Sequence, residues 1–465
     1  KPFVMVCAEI PCTNHANPSL RSGAGVKGQA NVRRTLSRKI LESNLMLLYD
    51  NILGYYRPSC FYININTNSD LSNIMVSPYV STFIHEYIHF LQDIGSRFGL
   101  FNLSHAIGKM VSLAKNIYEH PEDKIVIRPV MRAYKKSVET NVDLMNIYFG
   151  SDIEICNVDK RGIFDIELNL DKLTDEAPEI VTCYLVLNDK KFHIGARQIM
   201  ESMAYEIENA YSHNDFTFPD IPYKMVRMLI ERRFGITVDP KIVIALCDVC
   251  LDSYHPSEEL YHFINREENI SSIEKIYSLH NETVSRTYKA NMDTRCPKTY
   301  IEMSDEAIAN IKLTIQEPKL QKMITWLCDS ILLAREMRIK DQYYLPNIIQ
   351  QVKNLDGISS IIKKVGAPLF FNNKQESFLI DEGIIKDDPD KVIYWTALDE
   401  VFKFISNKEK NDCCLYNYCN QFKDIIKNDN NCKTAPNRRS YIEYENICYF
   451  GAIFKTTGLS KYRWE

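Results

Sequence analysis

The chain has 465 residues, 45% of them apolar and 25% charged, the profile of a globular protein of two to three domains at roughly 150 residues each. Glycine and proline, 16 and 18 residues, are too few for a collagen-like or low-complexity chain, and a net charge of −4 argues against a nucleic-acid partner recruited by bulk charge. No window holds about 18 uninterrupted apolar residues, so no membrane span is expected, and 14 cysteines scattered through a long chain with no basic-then-apolar leader point to reduced thiols in a cytoplasmic protein.

The chain opens on Lys1, so a start residue or short leader is expected ahead of it. Residues 1–30 read as irregular. Leu36, Ile40, Leu45 and Leu48 recur at helical spacing and predict one helix over 30–53. The run Cys60-Phe61-Tyr62-Ile63-Asn64-Ile65 predicts a strand, and Pro78 opens a helix to about Phe98. Helical patterns follow over 103–118 and 123–148. Short strands are expected over 153–156, 163–168 and 180–187, then a turn at Asn188-Asp189 and a returning strand over 191–194 that Gly195 ends. A helix over 196–211 comes next. Further helices are expected over 221–233, 240–254, 257–267, 304–340 and 389–407, that at 240 starting on Pro240 behind an Asp239 cap. The fold class is therefore α+β and mostly helical. A first domain over 1–235 carries a small mixed sheet, and a helical C-terminal region over 236–465 is placed for substrate recognition or regulation.

The segment Thr82-Phe83-Ile84-His85-Glu86-Tyr87-Ile88-His89-Phe90-Leu91 carries the chemistry. Four residues apart on a helix, His85 and His89 share a face one turn apart, where two imidazole nitrogens grip one tetrahedral zinc. Glu86 directly follows the first ligand and reaches a water at the metal as general base. Two histidines and a glutamate are costly to bury in an otherwise apolar helix unless a partner such as a metal compensates them.

This segment resembles the active-site helix of the zincin metallopeptidases. The strand at 60–65 resembles their edge strand, along which an extended peptide adds. The metzincin branch needs Gly and His where this chain has Gln92 and Gly95, so the third ligand is expected downstream. Glu201, in Glu201-Ser202-Met203-Ala204, resembles the ligand glutamate of the gluzincins, with small residues that let the second helix approach the first. The same position closed by Asp93, His105, His120 or a cysteine would remove the gluzincin likeness but keep the water chemistry. Where some gluzincins carry Asp four residues after the ligand, this chain has Tyr205, and Asp93 is the candidate to orient a zinc histidine instead. For the oxyanion donor, Tyr205 and His213 rank ahead of Tyr211 and His193.

The resemblance implies a Zn2+-dependent metallopeptidase that cuts an intracellular protein substrate. Narrow specificity or an activating or inhibitory protein partner would restrain it, and by analogy a toxin-like or defence effector fits. The rival readings are a catalytically silent scaffold on the same fold and a hydrolase of small peptides or other amides. The intact Glu86 argues against the scaffold. Cys247 and Cys250 read as buried structural thiols, whereas Cys413, Cys414, Cys419, Cys432 and Cys448 crowd an irregular stretch and are candidates for a second, structural metal.

Overall fold

The computed structural model describes residues 53–464, except 120–124, 127, 129, 131–135, 152–155, 159–161, 173–178, 189, 212–217, 267–269, 291–298, 316–317, 381, 384–385, 387, 408–411, 422–430 and 442–446. The helix expected over 30–53 lies, but for its last residue, outside the described residues, as do the strand expected over 153–156, but for Cys156, and the candidate His213. In chain order the first half contains β1 (Gly54–Arg57), β2 (Tyr62–Ile65), α1 (Val80–Gly95), α2 (Arg97–Glu119), β3 (Ile125–Val126), α3 (Lys136–Phe149), β4 (Phe164–Lys172), β5 (Glu179–Leu187), β6 (Lys190–Ile194), α4 (Ala196–Tyr211) and α5 (Met225–Phe234). Then come α6 (Pro240–Leu251), α7 (Pro256–Ile264), α8 (Ile273–Ala290), α9 (Tyr300–Thr314), α10 (Gln321–Lys340), α11 (Tyr344–Gln351), α12 (Leu355–Val365), β7 (Leu369–Phe371), β8 (Ser377–Phe378) and α13 (Asp390–Ser406). Small helices close the chain. The architecture is α+β and mostly helical, and no described helix is long and apolar enough to cross a membrane.

One sheet has the order β1-β2-β7-β8 and is mixed: β2 runs antiparallel to β1 and parallel to β7, with Ile63 opposite Tyr56 on one side and Phe370 on the other. Thus β2 is an interior strand, not the edge strand expected from the sequence. Its residues Tyr62, Ile63 and Ile65 are buried, as suits a strand covered on both faces. Among the described residues the edges belong to β1 and β8. The partner strand β7 comes from the C-terminal half, so the sheet crosses residue 236. The three-residue run Leu369-Phe370-Phe371 is too short to stand out as a strand among helices. A second sheet, β4-β5-β6, is wholly antiparallel and delivers the chain through Gly195 into α4. The single helix expected over 304–340 is two, α9 and α10, because Pro318 has no N–H to give and disfavours helix in the residue before it.

The helix α1 is buried from Val80 to Gly95 at every position but Ser81, and each face has its own partner. Phe83, Tyr87 and Phe90 face the C-terminal half: Phe83 packs on Phe370, Phe90 stacks on Trp326 at 5.9 Å, and the Tyr87 hydroxyl donates to the Gly366 carbonyl at 2.9 Å. His85, His89 and Gln92 face α4, to which the hydrogen bonds below connect them. Thr82, Glu86 and Asp93 face β1 and its turn. A Cβ on Gly54 would lie 2.8 Å from Thr82 Cγ2 and 3.2 Å from Glu86 Oε1, so only glycine lets β1 approach this closely.

The β1–β2 turn is strained, with Ser59 and Phe61 at φ 59° and 54°, a region that residues other than glycine seldom occupy. Two anchors hold it. Asp93 Oδ2 accepts from the Ser59 N–H at 2.6 Å and from the Tyr56 hydroxyl at 3.0 Å. The Phe61 ring is wholly buried, edge-on to Phe90, Trp326 and Trp395. Both anchors tie β1 to the helix that carries the histidines.

Candidate metal centre

His85 and His89 come from α1, and Glu201 comes from the second turn of α4. Ser202 and Ala204 beside Glu201 are fully buried where α4 packs against α1 and α6, so small side chains are what set the helix spacing. Glu201 Oε2 lies 3.1 Å from His85 Nε2 and 3.6 Å from His89 Nε2, and the two rings stand 5.0 Å apart at 78°. One ligand atom from each of the three residues falls within 4.8 Å of the others, and the group could hold a metal ion. Donor atoms bound at 2.0–2.1 Å to a tetrahedral zinc lie about 3.3 Å from one another. The two nitrogen–oxygen distances here bracket that spacing.

The outward ring nitrogens fix the tautomers. His89 Nδ1 is 2.8 Å from Gln92 Oε1, and Gln92 Nε2 donates to the Met200 carbonyl at 3.0 Å. A carbonyl only accepts, so Gln92 presents its oxygen to His89, and His89 Nδ1 carries the proton. The lone pair of neutral His89 is therefore on Nε2, aimed at Glu201. His85 Nδ1 is likewise held by Glu208 Oε2 at 2.9 Å. These are the partners that orient metal-binding imidazoles.

Asp93 does not have this role, contrary to expectation, because it is engaged by Ser59 and Tyr56 on another face of α1. Glu208 has it instead. It stands seven residues, two helical turns, after Glu201 and so shares its face of α4. Glu206 does point away, into a two-pronged pair with Arg227 at 2.7 and 2.6 Å.

Electrostatics follow from burial and these contacts. Burial disfavours the charged His85 ring, but the hydrogen bonds it donates to Glu201 and Glu208 outweigh it and hold its pKa well above the usual range. Burial also works to raise Glu201, yet His89 and His85 pull it well below the carboxylate range. The cluster thus asks for a cation, and a proton on His85 or a metal ion answers that demand. Glu86, 5% exposed, is pushed by burial up to about 7, with His85 and His89 opposing.

Tyr205 is buried one turn beyond Glu201, its ring 5.4 Å from Phe218 and 6.2 Å from Tyr223. The residue that stands against the centre is Tyr223, edge-to-face with His85 at 5.9 Å. Burial, and then the charges of Glu201, Glu86 and Glu208, raise its phenol. The charges that act on Tyr205 are those of Glu206, Arg227, Glu208 and Asp220, with burial again the first cause of its rise. Tyr211 is half-buried at the end of α4, and His193 lies on β6 against Tyr184. His105 Nδ1 is taken by the Phe101 carbonyl. The spacings 89–92 and 201–208 made Gln92 and Glu208 legible as same-face neighbours, but nothing in the sequence marked Tyr223. Among the described residues no second metal-holding group gathers, the C-terminal cysteines included. No protein-family profile matches the chain, and neither does any curated protein or solved structure.

Proposed function

We propose that the chain is a zinc-dependent metallopeptidase of the zincin type, gluzincin-like in its ligands, acting on a protein or peptide substrate. The observation that carries this reading is the convergence of two imidazole Nε2 atoms and one carboxylate oxygen, with Glu86 beside them and both outward nitrogens held. The donor set fits the group, because two imidazoles and a carboxylate are what hydrolytic zinc sites use, with one position left for water. Zinc held there supplies Lewis acidity, lowering the pKa of a water and polarising the scissile carbonyl.

The chain's own residues do the rest. Glu208 and Gln92 hold the imidazoles in the ligating tautomer. Glu86, raised by burial toward neutrality, takes the proton of the attacking water and returns it to the leaving amine. Tyr223, kept protonated by its burial and then by the carboxylates around it, donates to the oxyanion. Metal analysis tests the reading: the purified protein should hold about one zinc per chain and lose it in His89→Ala. Unchanged zinc content in that variant would overturn the assignment.

A further inference from the structure

We propose that the aromatic wall of Tyr205, Phe218 and Tyr223 is the specificity surface of this site, and that it selects a substrate residue with a large apolar side chain, aromatic above all, next to the scissile bond. The proposal rests on the peptidase reading.

The wall touches the centre directly, since Tyr223 packs edge-to-face on the His85 ring at 5.9 Å and 74°. Behind it the rings close on each other: Phe218 to Tyr223 at 5.4 Å, Phe218 to Tyr205 at 5.4 Å, and Tyr205 to Tyr223 at 6.2 Å. Tyr205 is buried and forms the backing. Phe218 and Tyr223 are half-buried and so keep surface for a ligand.

The segment is held in place before any ligand arrives. Lys224 Nζ donates to the Phe218 carbonyl at 2.9 Å and pairs with Asp220 at 3.2 Å. Ser202 Oγ, next to Glu201, donates to the Pro222 carbonyl at 2.9 Å, and the Ile221 N–H donates to the Cys156 carbonyl at 3.0 Å. The Gly54 end of β1 lies against Thr82 and Glu86, the residue beside the metal-binding histidine.

Rings at such edge-to-face distances attract a further ring through their quadrupoles and exclude water from it. The wall thus discriminates by size and apolarity.

Two peptide hydroxamates identical but for one side chain, benzyl or methyl, test this by calorimetric titration into the zinc-loaded protein. The benzyl probe should bind about 10- to 100-fold tighter than the methyl probe. Phe218→Ala should remove that preference while leaving methyl-probe affinity within about threefold, and Phe218→Trp should keep the preference. Cleavage of a peptide library should show the same bias in kcat/KM. Equal affinity of the two probes for the native protein, a preference for a basic side chain, or a uniform loss for both probes in Phe218→Ala would each overturn the wall and leave the peptidase reading standing. Failure of the native protein to take zinc or to bind either probe would instead overturn the peptidase reading, and the wall with it.

Discussion

Two buried polar clusters lie close together in this molecule, and they solve opposite problems. One is His85, His89, Glu201 and Glu208, between α1 and α4. The other begins at Arg97, just past the end of α1, and joins Arg97 to Asp252 at 3.2 Å, His280 to Asp252 at 3.2 Å and to Glu259 at 3.4 Å, and Arg338 to Asp248. Both bury histidine beside carboxylates. In the second, two guanidiniums that never lose their protons stand with the histidine against three carboxylates, so the charges balance within the protein. Burial opposes the charge on His280, yet the hydrogen bonds it donates to Asp252 and Glu259 prevail and push its pKa up to about 9, which keeps it a cation at neutral pH. In the first cluster the partners of Glu201 among the described residues are imidazoles, and an imidazole can exchange its proton for a metal. Which basic group faces the acid, more than burial or the presence of histidine, separates a ligand set from a structural ion-pair network.

The contrast is broken most sharply at the general base. Glu86→Gln should retain zinc and fold but lose about 10²–10⁴-fold in turnover, because an amide accepts no proton from water. Near-native turnover would show that another group is the base.

The second cluster should be costly to stability and silent to metal. Arg338→Met leaves Asp248 buried with its cation gone and should lower stability by about 3–5 kcal/mol in denaturant titration, with zinc per chain unchanged. Zinc loss from the folded variant would mean that the two clusters are one functional unit.

The two neighbouring glutamates of α4 sharpen the comparison within one helix. Glu208→Ala should weaken zinc binding about 10- to 100-fold by freeing His85 Nδ1. Glu206→Ala should leave zinc affinity alone and show its effect in thermal stability, through the stranded Arg227. Equal effects on zinc would remove the orienting role of Glu208.

The smallest expected effect concerns Asp93, which burial pushes up to about 7 against the hydrogen bonds from Ser59 and Tyr56. The unfolded chain ionises this carboxyl near its ordinary value while the fold keeps it protonated. Its contribution to stability is complete below that ordinary value, drains as pH rises toward about 7, and then levels off. Asp93→Asn can accept the same two hydrogen bonds and does not ionise. Its melting temperature should therefore gain a few degrees on the native protein between pH 5 and pH 7.5. A difference independent of pH would show that Asp93 is charged in the fold.

How much of this was legible in the sequence depended on range. The spacing of His85 and His89, the adjacency of Glu86 and the small residues after Glu201 are local facts, and helical periodicity turns them into a shared face without any knowledge of the rest of the chain. The same periodicity would have put Gln92 on its face one turn beyond His89 and Glu208 on its face two turns beyond Glu201. Most helices and the β4–β6 strands were legible for that reason too.

The remainder was decided by tertiary structure. That β2 is interior depends on β7, some 300 residues later in the chain, and a strand's neighbours are not encoded in its own alternation. That Asp93 serves the β1–β2 turn and not a histidine depends on which element α1 presents to each face. Tyr223 reaches His85 only because Pro222 is held to Ser202 on α4. Periodicity within an element fixes which residues share a face, but what that face meets is set by long-range packing, which no local spacing records.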